Sequence, residues 1–221
     1  MSREKNNKKK GQGKEKMKEI AKEIAKDLLK IKAVELKEEN HFTWASGIKS
    51  PVYCDNRLTL SYPQIREKIA EKLTEIIKEK FENINLIAGV ATAGIPHATL
   101  VSYKMNLPLV YVRDKKKNHG KTNQIEGKII KGQKAVVIED LISTGMSSIN
   151  AVKALQQAGI EVAGVVAIYS YNIKKAKENF AENNLKYYTL TGYDALIEEA
   201  IKEKYIDEKA KEKLIEFRDN L

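Results

Sequence analysis

From Met17 the apolar residues fall at Met17, Ile20, Ile24, Leu28 and Ile31, spacings of three and four that lay one stripe along a helix. Lysine and glutamate fill most of the remaining positions. The next stretch, His41 to Leu60, mixes Thr, Trp, Val and Tyr with Gly47 and Pro51, a pattern of short strands and turns. Pro63 then opens a second amphipathic helix, with Ile65, Ile69, Leu73 and Ile76 on one face.

After Asn85 the texture changes. Leu86 to Ala91, Leu109 to Val112, Ala135 to Ile138 and Val162 to Tyr169 are short apolar runs, with a weaker fifth at Tyr187 to Leu190. Helical stretches lie between them, one running to Met105 and one marked by Ile149, Val152 and Leu155 and closed by Gly159. Short buried strands alternating with helices of about 10 to 15 residues predict an α/β fold with a parallel central sheet flanked by helices. Such a sheet binds ligands at the carboxyl ends of its strands. Two further helices are predicted near Asp194 to Tyr205 and Asp207 to Phe217.

A chain of 221 residues is long enough for one such domain with a full core. Hydrophobic residues at 42% and charged residues at 32% give a soluble globular balance. No run approaches the roughly 18 apolar residues of a membrane span. The charged N-terminus has no apolar segment behind it, which argues against a secretory signal. A single cysteine, Cys54, excludes an internal disulfide framework and a Cys-rich zinc site, and fits a reducing cytoplasm.

The net charge of +10 is unevenly spread: Met1 to Lys18 carry eight Lys/Arg and two Asp/Glu, and the rest of the chain is only mildly basic. The head, over 1–16, is expected to be a disordered tail. A solvated extension accounts for it better than a nucleic-acid arm, so nucleic acid is not an expected partner.

The chemistry concentrates in Ala135-Val-Val-Ile-Glu-Asp-Leu-Ile-Ser-Thr-Gly-Met-Ser-Ser148. A buried strand delivers Glu139 and Asp140 to its carboxyl edge, then a loop of small residues, Ser143, Thr144, Gly145 and Ser147, leads into a helix. Backbone N–H groups at a helix start, with hydroxyl donors and a glycine that permits close approach, make an anion cradle. There is no Gly-Lys-Ser/Thr and no G-x-G-x-x-G, so this is neither a P-loop nor a dinucleotide fingerprint. A phosphate beside two carboxylates suggests a phosphorylated sugar. An acid pair capping an ordinary helix would be the plainer reading of Glu-Asp alone.

In this order, strand, acids and Ser-Thr-Gly-x-Ser resemble the type I phosphoribosyltransferases. Three more segments are similar to the orotate-using members of that family. They are His41-Phe-Thr-Trp-Ala-Ser-Gly-Ile-Lys-Ser-Pro-Val-Tyr-Cys-Asp-Asn-Arg57, Gly89-Val-Ala-Thr-Ala-Gly-Ile-Pro-His-Ala98 and Tyr111-Val-Arg-Asp-Lys-Lys-Lys-Asn-His-Gly-Lys121. The resemblance implies one domain over 17–221: a small N-terminal hood of helix and short strands to about 60, a core to about 190, and C-terminal helices over about 193–218. It implies transfer of a ribosyl phosphate from phosphoribosyl pyrophosphate (PRPP) to orotate, with Mg²⁺ bound mainly through PRPP and pyrophosphate and no metal-ligand set on the protein.

Carried over residue by residue, Glu139 and Asp140 face the ribose hydroxyls, and Leu141, Ile142, Ser143, Thr144, Gly145, Met146 and Ser147 take the 5′-phosphate. Ser143 also touches orotate, and Lys49 and Tyr53 are the further candidates for the base. Arg113, Lys117 and His119 match a basic loop that closes over pyrophosphate from the neighbouring subunit of a homodimer, with Lys117 joining the acids as a catalytic group. The residues alone agree in part: 114–123 has no apolar anchor, predicting a mobile cationic segment that is otherwise a solvated turn. Thr92-Ala93-Gly94 fits the family's pyrophosphate turn or an ordinary strand-to-helix turn. His41 and His97 are read as packed or capping histidines.

Departures limit the carry-over. The better-known branch carries lysines where Ala45, Ala93 and Asp114 stand, and an arginine for the orotate carboxylate where this chain reads Ser170-Tyr-Asn-Ile. Either Lys49 and backbone groups take that carboxylate, or the base pocket differs. Two other readings use the same PRPP site: a phosphoribosyltransferase for another base, and a PRPP-sensing, nucleic-acid-binding regulator.

Overall fold

The computed structural model describes residues 2–37, 41–43, 49–114 and 124–221, with backbone alone for 2–10 and 12. Helix α1 (Ser2–Lys30) leads into β1 (Val34–Leu36), β2 (Phe42–Thr43), β3 (Lys49–Ser50), β4 (Val52–Cys54), a 3₁₀ turn (Asn56–Ser61) and α2 (Pro63–Lys80). The core follows as β5 (Leu86–Val90), α3 (Gly94–Met105), β6 (Leu109–Val112), β7 (Ile125–Glu126), β8 (Lys134–Ile142) and α4 (Met146–Gln157). It continues through β9 (Glu161–Ser170), α5 (Lys174–Glu182) and β10 (Tyr187–Gly192) to α6 (Tyr193–Lys202) and α7 (Glu208–Asp219).

The central sheet has six strands in the order β10-β9-β8-β5-β6-β7. All neighbours are parallel except β6 and β7. Val136, Val137, Ile138, Val165, Val166 and Ile168 are fully buried, as strands covered on both faces must be. Helices α2 and α3 pack on each other, α1 lies on β10 and α6, and α4 meets α5.

Helix α1 and strand β8 differ from expectation. Helix α1 begins at Ser2, so residues 2–16, expected to be a disordered tail, continue the helix. Lys, Glu and Gln are good helix formers, and extending a helix costs far less than nucleating one once Ile20, Ile24 and Leu28 are buried downstream. That apolar stripe packs on the sheet's edge strand, where Thr191 Oγ1 donates to the Ala21 carbonyl at 2.7 Å, so α1 flanks the core as well as leading into the hood. Strand β8 also runs four residues past its apolar stretch, to Ile142, because β9 pairs with it as far as Ser170.

Within the hood, β1 pairs antiparallel with β4 and β2 with β3. Val52 and Cys54 face inward on β4 while Tyr53 points out, the alternation of a half-buried strand.

Candidate active site

The chain leaves β5 toward β6 on one side and returns to build β8 on the other. That reversal opens a crevice at the carboxyl ends of β5 and β8, the position where open α/β sheets bind ligands. Gly94, opening α3, closes in from the β5 side. A Cβ there would stand 2.6 Å from the Ile138 carbonyl and 3.5 Å from Glu139 Oε1, so only glycine lets the turn approach the acids. Thr92 and Ala93 lie in the same turn, beside a cis Ala91–Thr92 peptide.

Glu139 is buried, and its carboxylate accepts from the Asp140 N–H at 3.1 Å and from Ser148 Oγ at 3.2 Å. Burial first, and the neighbouring Asp140 second, push its carboxyl well above the ordinary range. Asp140 is raised too, chiefly by burial, while a hydrogen bond from Glu139, its own and the Leu141 N–H groups, and the charge of Arg57 pull it back. Two adjacent carboxyls cannot both ionise cheaply in such a place, and burial raises both, Glu139 the more strongly. A cationic ligand or a set of sugar hydroxyls would release that frustration.

Beyond the acids, Gly145 stands at the N-cap of α4 with φ +78, where no side chain caps the helix. The first N–H groups of a helix have no partner within it, and the dipole adds positive potential, so this end is built to receive an anion. Ser143 and Thr144 are half-buried beside it, and Met146 and Ser147 are exposed on the first turn. Ile142 is turned into the core, and its carbonyl accepts from the Tyr171 N–H at 3.0 Å. Leu141 packs at the core margin.

Helix α5 braces the loop. Asn179 Nδ2 donates to the Thr144 carbonyl at 2.9 Å, and a Cβ on Gly145 would meet the Phe180 ring at 2.5 Å. Phe180 is itself locked in the core, stacked on Tyr187 with centroids 4.2 Å apart. Sequence reasoning passed over α5, although Ile173, Ala176 and Phe180 at helical spacing announce it.

The hood supplies the facing wall. Asn56, buried, donates from Nδ2 to the Asp140 carbonyl at 2.8 Å, a bond between residues 84 apart that no local pattern signals. Tyr53 is exposed and stacks on Phe42 at 5.4 Å, over which Lys37 Nζ sits at 4.3 Å. Lys49 stands exposed on β3. At the far side Arg113 follows β6, held by Glu126 at 3.5 Å and paired through its backbone to Gln124. Lys117 and His119, with Trp44 and Ala45, lie outside the described residues.

His97 is buried in α3, with neither ring nitrogen hydrogen-bonded among the described residues, and burial lowers its pKa to about 4. It is a neutral core residue, as expected. His41 is exposed rather than packed and lines a cavity of about 170 Å³ with Pro51, Leu214 and Phe217. That cavity contains none of the acid-pair or loop residues.

The sequence profile of the phosphoribosyl transferase domain matches residues 60–190, which span the sheet, the acids and the cradle. The site is thus that of a phosphoribosyl-transferring fold. A curated relative from Fusobacterium nucleatum, named orotate phosphoribosyltransferase, is 59% identical over 196 residues, 88% of this chain and 93% of its own. A relative of the same name from Listeria monocytogenes is 58% identical over 193 residues, 87% of this chain and 92% of its own. Among solved structures, orotate phosphoribosyltransferase from Aeropyrum pernix has a TM-score of 0.71 at 28% identity, with 79% of this chain and 96% of that one covered. Leishmania donovani UMP synthase has a TM-score of 0.75 at 29% identity, covering 89% of this chain but only 42% of that longer protein. The chain belongs to the phosphoribosyl transferase family, in its orotate phosphoribosyltransferase branch.

Proposed function

We propose that this chain transfers the 5-phosphoribosyl group from PRPP to orotate, giving orotidine 5′-phosphate and pyrophosphate in pyrimidine biosynthesis. The observation that carries the reading is the meeting of acid pair, uncapped α4 and hood at one sheet edge, in a chain 59% identical to a relative of that name. In the reaction the bond from ribose C1′ to the pyrophosphate oxygen breaks and a bond from C1′ to N1 of orotate forms. No nucleophilic side chain is needed; positioning and electrostatics lower the barrier.

The α4 N-terminus, with Ser143, Thr144, Gly145, Met146 and Ser147, holds the 5′-phosphate, while Leu141 and Ile142 contribute backbone alone. Asp140 and Glu139 receive the ribose hydroxyls and face the positive charge that develops on the sugar. Ser143 and Tyr53 border the base. Arg113, Lys117 and His119 neutralise the departing pyrophosphate, reaching across a homodimer.

Mg²⁺ fits this donor set. Among the described residues no three His, Cys, Asp or Glu side chains gather to form a cage, whereas two carboxyl groups beside a polyphosphate suit a small hard cation bound through its substrate. When bound, the ion neutralises charge on the pyrophosphate; Asp140 and Glu139 are the side chains that would face it. The free, buried Cys54 thiol suits a reducing cytoplasm, and among the described residues no helix is long and apolar enough to cross a membrane.

The test is Mg²⁺- and PRPP-dependent loss of orotate absorbance, with uracil, hypoxanthine and adenine as parallel acceptors. Loss with orotate alone is expected. Turnover of another base instead would move the acceptor, and silence with every base despite PRPP binding would remove the enzyme. Lys117→Ala should lower turnover by about 1,000-fold with the thermal transition unchanged; undiminished turnover would remove Lys117 from the reaction.

A further inference from the structure

Orotate differs from uracil by one carboxylate, and recognising it calls for a fixed cation with donors in a planar fork. The turn after β9, Ser170 to Ile173, carries no cation. Tyr171 is buried, Ser170 Oγ accepts from the Asn172 N–H at 3.0 Å, and Asn172 Nδ2 donates to Asp194 at 2.9 Å. Lys37 is engaged with the Phe42 ring, and Lys49 stands on β3 with no bond to the acid pair among the described residues.

On the opposite wall, Asp55 closes the first turn of the 3₁₀ segment and grips the side chain of Arg57. Its Oδ1 accepts from Arg57 Nε at 2.6 Å and from the Arg57 N–H at 3.1 Å, and its Oδ2 accepts from Nη2 at 2.8 Å. That grip uses the Nε/Nη2 edge of the guanidinium. The Nη1/Nη2 edge stays free of partners among the described residues, and the side chain is 65% exposed. Asn56, one residue earlier, is pinned to the Asp140 carbonyl at 2.8 Å, which anchors the backbone beside the acids. Asp140 and Tyr53 both lie within electrostatic reach of the guanidinium, and Tyr53 lies within reach of Tyr171. Arg57 thus sits on the hood wall, one residue from the hood's contact with the acid-bearing strand.

We infer that Arg57 receives the carboxylate of the acceptor base through its free Nη1/Nη2 edge, with Asp55 as the positioning residue that orients it. The inference rests on the orotate reading above. It places carboxylate recognition on the hood, where Lys37 is engaged by the Phe42 ring and Arg57 keeps one edge of its guanidinium open. A guanidinium already held by a carboxylate loses little freedom on binding a second one, which favours selective recognition over mere attraction.

The experiment measures KM for orotate at saturating PRPP, and Kd for PRPP by calorimetry, in the full chain and in Arg57→Ala, Arg57→Lys and Asp55→Asn. Arg57→Ala should raise orotate KM by about 100-fold while the Kd for PRPP stays put. Arg57→Lys should recover part of the loss, since it restores charge without the fork. Asp55→Asn, which keeps the cation but loosens its aim, should raise orotate KM by about 10-fold. An unchanged orotate KM in Arg57→Ala overturns the inference. So does a PRPP Kd that weakens in step, which would assign Arg57 to a phosphate. Should Arg57→Ala not fold, Arg57→Lys decides alone: orotate KM equal to wild type overturns the inference. Wild-type chain that ignores orotate but turns over another base defeats the acceptor reading before any variant is compared, so the two failures are distinct.

Discussion

The cradle and the hood face each other across one crevice and are built by different means. The cradle is an unbroken run, Glu139 to Ser148, that leaves a buried parallel strand and enters a helix. Its groups are fixed by their own backbone and then braced from behind by Asn179 and Phe180. The hood is two short antiparallel ladders and a 3₁₀ turn, and it reaches the crevice through single side-chain bonds such as Asn56 to Asp140. A phosphate has the same shape in every PRPP-dependent reaction, so a rigid local device suffices for it. A base is distinguished by its edge, and the hood wall, joined to the sheet by bonds such as Asn56 to Asp140, presents side chains toward it.

If the cradle side carries the chemistry, Asp140→Asn should lower kcat by about 1,000-fold and leave thermal unfolding nearly unchanged. Retention of full turnover would break the assignment of the acid pair. Gly145→Ala strikes both the left-handed backbone and the Phe180 ring, so it should cost about 2–3 kcal/mol of stability and about 100-fold in kcat/KM for PRPP. Denaturant unfolding and steady-state rates would check this, and a neutral result would mean that the α5 brace is not rigid.

The core half should also show a pH signature of its own, at His97. His97 titrates near 4 in the folded chain against 6.5 when unfolded, so the unfolded chain takes up its proton first as pH falls. Stability is complete above 6.5 and declines between 6.5 and 4, by up to about 3 kcal/mol. His97→Leu should flatten that decline. Glu139, raised instead of lowered, slopes the other way, its contribution fading as pH rises from the ordinary 4.5 through its folded value. The readout is therefore the difference between wild type and His97→Leu, and identical slopes would refute a neutral His97.

On the hood side, Asn56→Ala removes one hydrogen bond to the Asp140 carbonyl. It should lower kcat/KM by about 10-fold, the cost of leaving a buried carbonyl unpaired. A loss as large as that of Asp140→Asn would erase the contrast between the two regions.

The sequence by itself determined the sheet and the cradle. Apolar runs of four to eight residues mark β5, β6 and β9 at nearly their observed bounds, and the start of β8. The acids and the loop after them are contiguous, so their chemistry could be read without knowing how the chain folds. The tertiary structure decided what contiguity cannot. It set the pairing of β8 with β9 that carries the strand to Ile142 and turns that side chain inward, and the burial that raises the Glu139 carboxyl beside Asp140. It also brought Asn56 to Asp140, and with it Arg57, across a sequence separation of 84 residues. The physical reason is one of range. Backbone preference and hydrophobic period act over a few residues, whereas burial and long-range hydrogen bonds exist only once distant segments have packed.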